Sequence, residues 1–451
     1  ASLASLAFRP KKMLGLLLPS TQGLQATRVA PTTPSTSPAT TIGASPLSAA
    51  HSDRTTLGSL DIPSLGLGTI AWASKGGYAR EADAEAAEAR IAATAAAARN
   101  VGLDFFDTAE RYGATGQSLI LASLASLGAP IGKEYLGGDV ESNLARWGEG
   151  ATVATKFTPT PWRRSAQDVV DACRDSCERL GVDSVPLYQI HMPDIIQPGA
   201  AFGAADVKDE LYWDGLAECY LQGYAQNVGV SNYGPTLMAR AQEALAKRGV
   251  PLASNQICFN LLNQRGKRMA YPLGTTATYP GTGALATVDA CNDLGVKALA
   301  YYPLAMGLLT NKLTANTLRG RDDARSRDLL RYLEGGEPGR FEFPQTAGAI
   351  PRGGVMPMQR ALAEVAASVG KTPAQVALNW VICKGAVPIA GASTPLQVEE
   401  NAGALGWRLP EAQVAALDAA AAGLPFDFNG AGFQTSDSKF IGYQFAKWEL
   451  N

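Results

Sequence analysis

The chain has 451 residues, with 39 Lys+Arg against 41 Asp+Glu and a formal net charge of −2. That balance provides no general electrostatic drive toward nucleic acid or an anionic membrane. Hydrophobic content of 46% with 18% charge fits a globular chain, and length alone allows several domains or one large α/β barrel. No apolar run nears the roughly 20 residues of a membrane helix. Six cysteines in so long a chain exclude a disulfide scaffold and fit a reducing compartment.

The first fifty residues stand apart. They hold Arg9, Lys11, Lys12 and Arg28 but no acid, Asp53 being the first, and Ser and Thr make up 14 of the 50. Basic, Ser-rich and acid-poor is the composition of an organelle transit peptide. Residues 1–53 are therefore expected to be a disordered chloroplast leader, with a mitochondrial leader as second choice. From residue 60 short apolar strands alternate with longer helical stretches. The expected strands are Ser64–Gly68, Leu103–Phe106, Thr152–Thr155, Val185–Ile190, Ala225–Val230, Leu252–Gln256, Val296–Tyr301 and Ala386–Ile389. Helices are expected at Glu81–Arg99, Ala166–Leu180, Lys208–Gln222, Thr236–Lys247, Thr287–Leu294 and Pro357–Ser368. Eight such strands fit a closed (β/α)8 TIM barrel over residues 54–425 better than an open sheet. No G-x-G-x-x-G follows the first strand, which argues against a Rossmann site. Pro193–Ala205, Gln264–Gly283 and Arg319–Gly354 read as long inserted loops. Residues 426–451 read as a tail, rich in Phe, Tyr and Trp, that packs on the barrel.

In a (β/α)8 barrel the chemistry sits at strand C-termini. Asp107 and Tyr112 follow the second expected strand, Lys156 the third and His191 the fourth. These types form a proton-transfer device. An ammonium beside a phenol lowers its pKa from near 10, a carboxylate holds the ammonium in place, and an imidazole hydrogen-bonds a substrate oxygen. Tyr112 would then protonate a carbonyl or deprotonate an alcohol. Taken singly, Asp107 and Lys156 could equally be a structural ion pair, and Tyr112 a surface residue. His191 is more telling, since the only other histidine is His51 in the expected leader. The same scarcity, with scattered cysteines, leaves no metal site. Trp72, Trp162 and Trp213 are candidate pocket walls, with core packing an equally weighted reading.

At these residues the sequence resembles the aldo-keto reductase family. The resemblance is carried by Asp104-Phe105-Phe106-Asp107-Thr108-Ala109-Glu110-Arg111-Tyr112-Gly113, Ala154-Thr155-Lys156-Phe157, Tyr188-Gln189-Ile190-His191, Val228-Gly229-Val230-Ser231-Asn232-Tyr233, Ala253-Ser254-Asn255-Gln256 and the run from Ala300 to Thr310. Pro161-Trp162-Arg163 and Gly403-Ala404-Leu405-Gly406-Trp407 bring it nearest the plant and algal chloroplast branch. The resemblance implies a monomeric barrel binding NADPH, or NADH as second choice, and reducing a small-molecule carbonyl. It carries over Asp107, Tyr112, Lys156 and His191 as the catalytic tetrad. It places Ser231, Asn232 and Gln256 at the nicotinamide carboxamide and Tyr301 against the nicotinamide face. Gly68 and Thr69 fall in the first-strand loop, and Leu304, Gly307 and Leu309 over the pyrophosphate. Gly391, Ser393, Thr394, Gln397 and Asn401 fall at the adenosine end. Ser393 stands where that branch often has a cation, so the hydroxyls of Ser393 and Thr394 and a helix N-terminus are expected to meet the 2′-phosphate. Tyr302 stands where a small residue is commoner.

Two other classes remain open at this point. One is an NADP(H)-binding sensor or scaffold with little turnover, its aromatic tail docked on plastid lipid droplets (plastoglobules). The other, weaker, is an aldolase-type barrel using Lys156 as a Schiff base, which leaves Asp107, Tyr112 and the Ser231-Asn232 pair without a role.

Overall fold

The computed structural model describes residues 52–73, 83–113, 138–160, 162–194, 208–264, 268–270, 276–278, 283–321, 324–336 and 350–426. The leader up to residue 51, most of Pro193–Ala205 and of Gln264–Gly283, and the tail beyond residue 426 lie outside the described residues, whereas Arg319–Gly354, expected to be a loop, carries the helix Ala324–Glu334.

Two strands precede the barrel, β1 (Arg54–Leu57) and β2 (Leu60–Pro63), paired antiparallel. The barrel strands are β3 (Gly66–Gly68), β4 (Phe105–Asp107), β5 (Thr152–Phe157), β6 (Leu187–Ile190), β7 (Val228–Ser231), β8 (Leu252–Cys258), β11 (Lys297–Tyr301) and β12 (Val387–Gly391). Between β8 and β11 lie the short paired strands β9 (Arg268–Ala270) and β10 (Thr276–Thr278). All eight barrel pairings are parallel, and β12 closes onto β3.

The helices form where capping permits. Ala166–Leu180 starts at Ser165, whose hydroxyl accepts the Asp168 N–H while Asp168 accepts the Ser165 N–H at 2.8 Å, and it ends at Gly181 with φ +70°. This reciprocal cap satisfies two orphan donors, and the glycine takes a left-handed turn without steric penalty. Helices and barrel wall share one apolar layer that includes Trp72, Phe106, Phe157, Tyr188, Trp213 and Trp380.

A second, smaller core fills the bottom of the barrel. Leu57 and Ile62 of the hairpin pack there with Phe105, Ala154, Leu187, Leu299, Val387 and Ile389. The hairpin, unforeseen from sequence, is a plug. Arg54 pairs with Asp61 across the hairpin and ties it to Asp104 of the barrel body, and the Asp53 carboxylate accepts two 2.6 Å bonds from Arg408. Asp53, the residue at which the leader was expected to end, thus belongs to the folded body. Burial at the floor leaves the opposite, C-terminal face free for polar side chains.

Gly66 shows how tightly the floor is filled. A Cβ there would lie 2.6 Å from Ile389 Cδ1 and 2.8 Å from Phe105 Cδ1. Overpacking of this kind costs about 1–3 kcal/mol. Gly66→Ala is therefore expected to lower the melting temperature by a few degrees in differential scanning fluorimetry, while Gly150→Ala, where a Cβ would meet open space but φ is +76°, reports backbone strain alone.

Candidate active site

The C-terminal ends of β4, β5 and β6 bring the four predicted tetrad residues to one place. Lys156 has no exposed surface. Its ammonium donates to Asp107 Oδ1 at 2.8 Å, Asp107 Oδ2 at 2.7 Å and the Thr108 carbonyl at 2.7 Å. All three of its protons thus have acceptors, as a buried charge requires. Burial lowers the Lys156 pKa from its ordinary value, and the Asp107 carboxylate opposes that fall. Lys156 Nζ lies 5.4 Å from the centre of the Tyr112 ring. Tyr112 meets His191 edge-on, with ring centres 5.9 Å apart. Burial first, then the charges of Lys156 and Arg111, hold the His191 imidazole well below its usual range, so it is neutral at neutral pH. Its Nδ1 has no hydrogen-bond partner.

The wall opposite carries the predicted carboxamide residues. Gln256 Nε2 donates to Asp107 Oδ1 at 2.7 Å, and Ser231 Oγ donates to the Gln256 carbonyl at 2.8 Å. Asn232 is left-handed, φ +64°. Its amide donates to the His191 carbonyl at 2.9 Å, and its Oδ1 accepts the Tyr301 hydroxyl at 2.8 Å. Gly68 closes β3, and Thr69 donates both its N–H and its hydroxyl to the Asp107 carbonyl. Leu304, Gly307 and Leu309 lie in the turn after β11, where Leu309 is fully buried and Gly307 has φ +103°.

Three expectations change. Trp72 has no exposed surface, and its indole N–H donates to the Ala392 carbonyl at 2.9 Å. It braces the loop after β3 against the loop after β12 and is not a pocket wall. Trp213 is buried with its N–H on the Tyr233 hydroxyl; Trp162 alone of the three stays partly exposed. The adenosine end also differs. Ser393 is buried, and both its N–H and its hydroxyl donate to Gln397 Oε1, at 2.8 and 3.0 Å. The Thr394 hydroxyl accepts the Gln397 N–H to cap helix Pro395–Ala402. The Ser393 hydroxyl proton is spent within the loop, while the Thr394 oxygen serves as the cap acceptor. A cation that sequence reasoning missed reaches the same loop. Arg90, on helix Ala84–Asn100, donates to the Ser393 carbonyl at 3.4 Å. A basic residue on a helix facing away in sequence carries no local signal of this.

The (β/α)8 barrel thus gathers a buried lysine–carboxylate pair, a tyrosine and a histidine at adjoining strand ends. The chain belongs to the aldo/keto reductase family, whose sequence model matches residues 64–422. It is 34% identical to the chloroplastic pyridoxal reductase of Arabidopsis thaliana, over 84% of this chain and 88% of that one. An uncharacterized oxidoreductase of Mycobacterium tuberculosis is 31% identical over 73% of this chain and 81% of its own length. Among solved structures, a glycerol dehydrogenase from Gluconobacter oxydans superposes with a TM-score of 0.55 at 22% identity, covering 82% of this chain and 95% of that one, a likeness of fold.

Beside the site, Asp194 and Asp209 pin both ends of the loop after His191. Asp209 Oδ1 accepts the Asp194 N–H at 3.1 Å and the Tyr233 hydroxyl at 3.0 Å, and Asp194 Oδ2 accepts the Lys208 N–H at 2.9 Å. Burial pushes Asp209 up to about 6 from an ordinary 3.8, against those two hydrogen bonds. A carboxyl whose folded pKa is raised binds protons more readily in the native state. Between those two values the fold therefore loses stability as pH rises, by at most about 3 kcal/mol. Asp209→Asn is expected to melt above the wild type near pH 8 and level with it near about pH 4, and a pH series of melting temperatures checks the converging curves.

Proposed function

We propose that this chain is an NADPH-dependent carbonyl reductase of the plastid stroma in which Tyr112 is the proton donor. The observation that carries the reading is the convergence of the Lys156–Asp107 pair, Tyr112 and His191 at three adjoining strand ends. Plastid placement draws on the composition of residues 1–50 and on the chloroplastic Arabidopsis relative. That relative's name makes pyridoxal the first aldehyde to try, ahead of reactive lipid- or sugar-derived aldehydes and quinones.

The residues present fit a nicotinamide dinucleotide phosphate. Asn401 Nδ2 is buried at the adenosine end with no hydrogen-bond partner, a donor waiting for an acceptor. A Cβ on Gly391 would meet nothing within 4 Å, so this turn leaves room for a ligand. Ser231, Asn232 and Gln256 would hold the carboxamide, Tyr301 the ring face, and the turn at Leu304, Gly307 and Leu309 the pyrophosphate. Arg90 would supply the charge that Ser393 lacks. When bound, the reduced dinucleotide supplies the hydride. Everything else falls to the protein. The neutral His191 imidazole orients the substrate oxygen, and the Tyr112 hydroxyl gives that oxygen its proton as charge develops there. Lys156 stabilises the resulting phenolate, and Asp107 keeps Lys156 aimed.

Two measurements test this. Tyr112→Phe should lower kcat for pyridoxal or an aromatic aldehyde about 10²–10⁴-fold, the range of a positioned general acid, with NADPH affinity by fluorescence titration unchanged. Retained turnover would remove Tyr112 from the role. Arg90→Met should weaken NADPH binding roughly tenfold or more, the worth of a charge-assisted hydrogen bond, and leave NADH binding as it was. Equal losses for both dinucleotides would show Arg90 acting on the loop rather than on the phosphate.

A further inference from the structure

Glu110 lies two residues before Tyr112 and is almost fully buried. Its carboxylate takes a bidentate fork from Arg163, Nη1 to Oε1 at 2.6 Å and Nη2 to Oε2 at 3.0 Å, and accepts the Thr158 N–H at 2.5 Å. Arg163 is held in turn. Its guanidinium lies 4.5 Å from the centre of the Phe157 ring, Nη1 also donates to the Thr158 carbonyl at 3.1 Å, and the Arg163 carbonyl accepts the Tyr212 hydroxyl at 2.7 Å. The backbone adds a link in the same direction, Glu110 N–H to the Lys156 carbonyl at 3.3 Å. One ion pair thus joins the loop that carries Tyr112 to the loop that leaves β5 just after Lys156.

A buried ion pair is a poor source of net stability, since apolar replacements of equal volume often do as well. What it provides is geometry. The planar fork admits one relative placement of the two loops, which a lysine's single ammonium would not enforce. We infer that the Glu110–Arg163 pair is a positioning device, setting the distance from the Tyr112 hydroxyl to the Lys156 ammonium and to the substrate oxygen. The inference rests on the proton-donor reading of Tyr112. Neither residue touches the reacting atoms. Their effect passes through the Tyr112 loop, and small misplacements of a reacting group are enough to slow a reaction strongly.

The test compares Glu110→Gln, Arg163→Lys, Arg163→Ala and the double variant Glu110→Gln/Arg163→Met, all in the full chain. The double variant leaves no lone buried charge and so keeps the test alive if a single one fails to fold. NADPH affinity is measured by fluorescence titration, kcat and KM with pyridoxal, and the pH profile of kcat. The expected result is a tenfold to hundredfold fall in kcat for Glu110→Gln and the double variant, with NADPH affinity within twofold of wild type. Arg163→Lys should fall between, because it keeps the charge and loses the fork. Millimolar guanidinium should restore part of the Arg163→Ala rate, and equal urea should not. A shifted pH profile would place the defect at the titrating phenol. Unchanged kcat in the double variant, or equal loss of kcat and NADPH affinity, would overturn the inference. An unmutated protein that reduces no aldehyde while binding NADPH would overturn the reductase reading and this inference together, an outcome distinct because it needs no variant.

Discussion

A lysine ammonium with no exposed surface exists only where the fold gives every one of its protons an acceptor. Lys156 finds these in the two oxygens of Asp107 and the carbonyl of Thr108. The arrangement reaches further than one pair. Asp107 also accepts from Gln256 of β8, across the barrel, and its own carbonyl accepts the N–H and hydroxyl of Thr69 after β3. The carboxylate thereby joins the ends of β4, β5 and β8, the Asp107 backbone adds that of β3, and the chain leaving Thr108 brings Tyr112 over the ammonium. Removing either partner would leave an uncompensated charge in the barrel, a loss of about 3–5 kcal/mol. Two apolar side chains could close the same mouth more cheaply, so the pair is better understood by its chemistry than by its contribution to stability.

The backbone tells the same story from the other side of the barrel. Five non-glycine residues among those described have positive φ: Asn232, Tyr302, Ala305, Met306 and Asn311. All follow β7 or β11, on the rim. Left-handed backbone at such residues costs on the order of 1–3 kcal/mol each and clusters at functional sites. The floor, with Leu57, Ile62, Phe105, Leu299 and Ile389, carries no such strain. Stability is gathered at the N-terminal ends of the strands and tension at the C-terminal ends. Asn232 shows why the tension is held. Only with its backbone turned over does its side chain span His191, Ser231 and Tyr301 at once.

This division explains what was legible in the sequence. Each barrel strand overlaps its expectation, because each is a short apolar run between helical stretches. Three ends differ in a consistent way. β4 runs on to Asp107, β5 to Phe157 past Lys156 and β7 to Ser231. Apolar pattern stops at the polar residue, whereas the strand continues through it, since in a barrel interior those side chains find partners. That Asp107, Tyr112, Lys156 and His191 lie together was readable because strand order alone makes neighbours of β4, β5 and β6. The plug hairpin was not, because Leu57 and Ile62 are isolated in a Ser- and Thr-rich stretch and gain meaning only against Phe105 and Ile389. The Glu110–Arg163 pair was equally silent. Fifty-three positions separate its partners, and no periodicity links two loops. Trp72 misled for a related reason, as a large aromatic after the first strand suits a pocket wall and a brace alike.

The adenosine end obeys a different constraint. Its loop, Gly391 to Gln397, is held by short-range bonds among Ser393, Thr394 and Gln397, by the Trp72 indole on the Ala392 carbonyl and by Arg90 on the Ser393 carbonyl. No hydrogen bond described here ties those residues to Asp107, Lys156 or His191. The buried pair is therefore held by β4, β5 and β8, and the loop after β12 by its own bonds together with those from Trp72 and Arg90. Replacing Ser393 removes bonds inside one loop, whereas replacing Asp107 removes the acceptors that tie β4 to β5 and β8 and leaves the Lys156 ammonium buried without them.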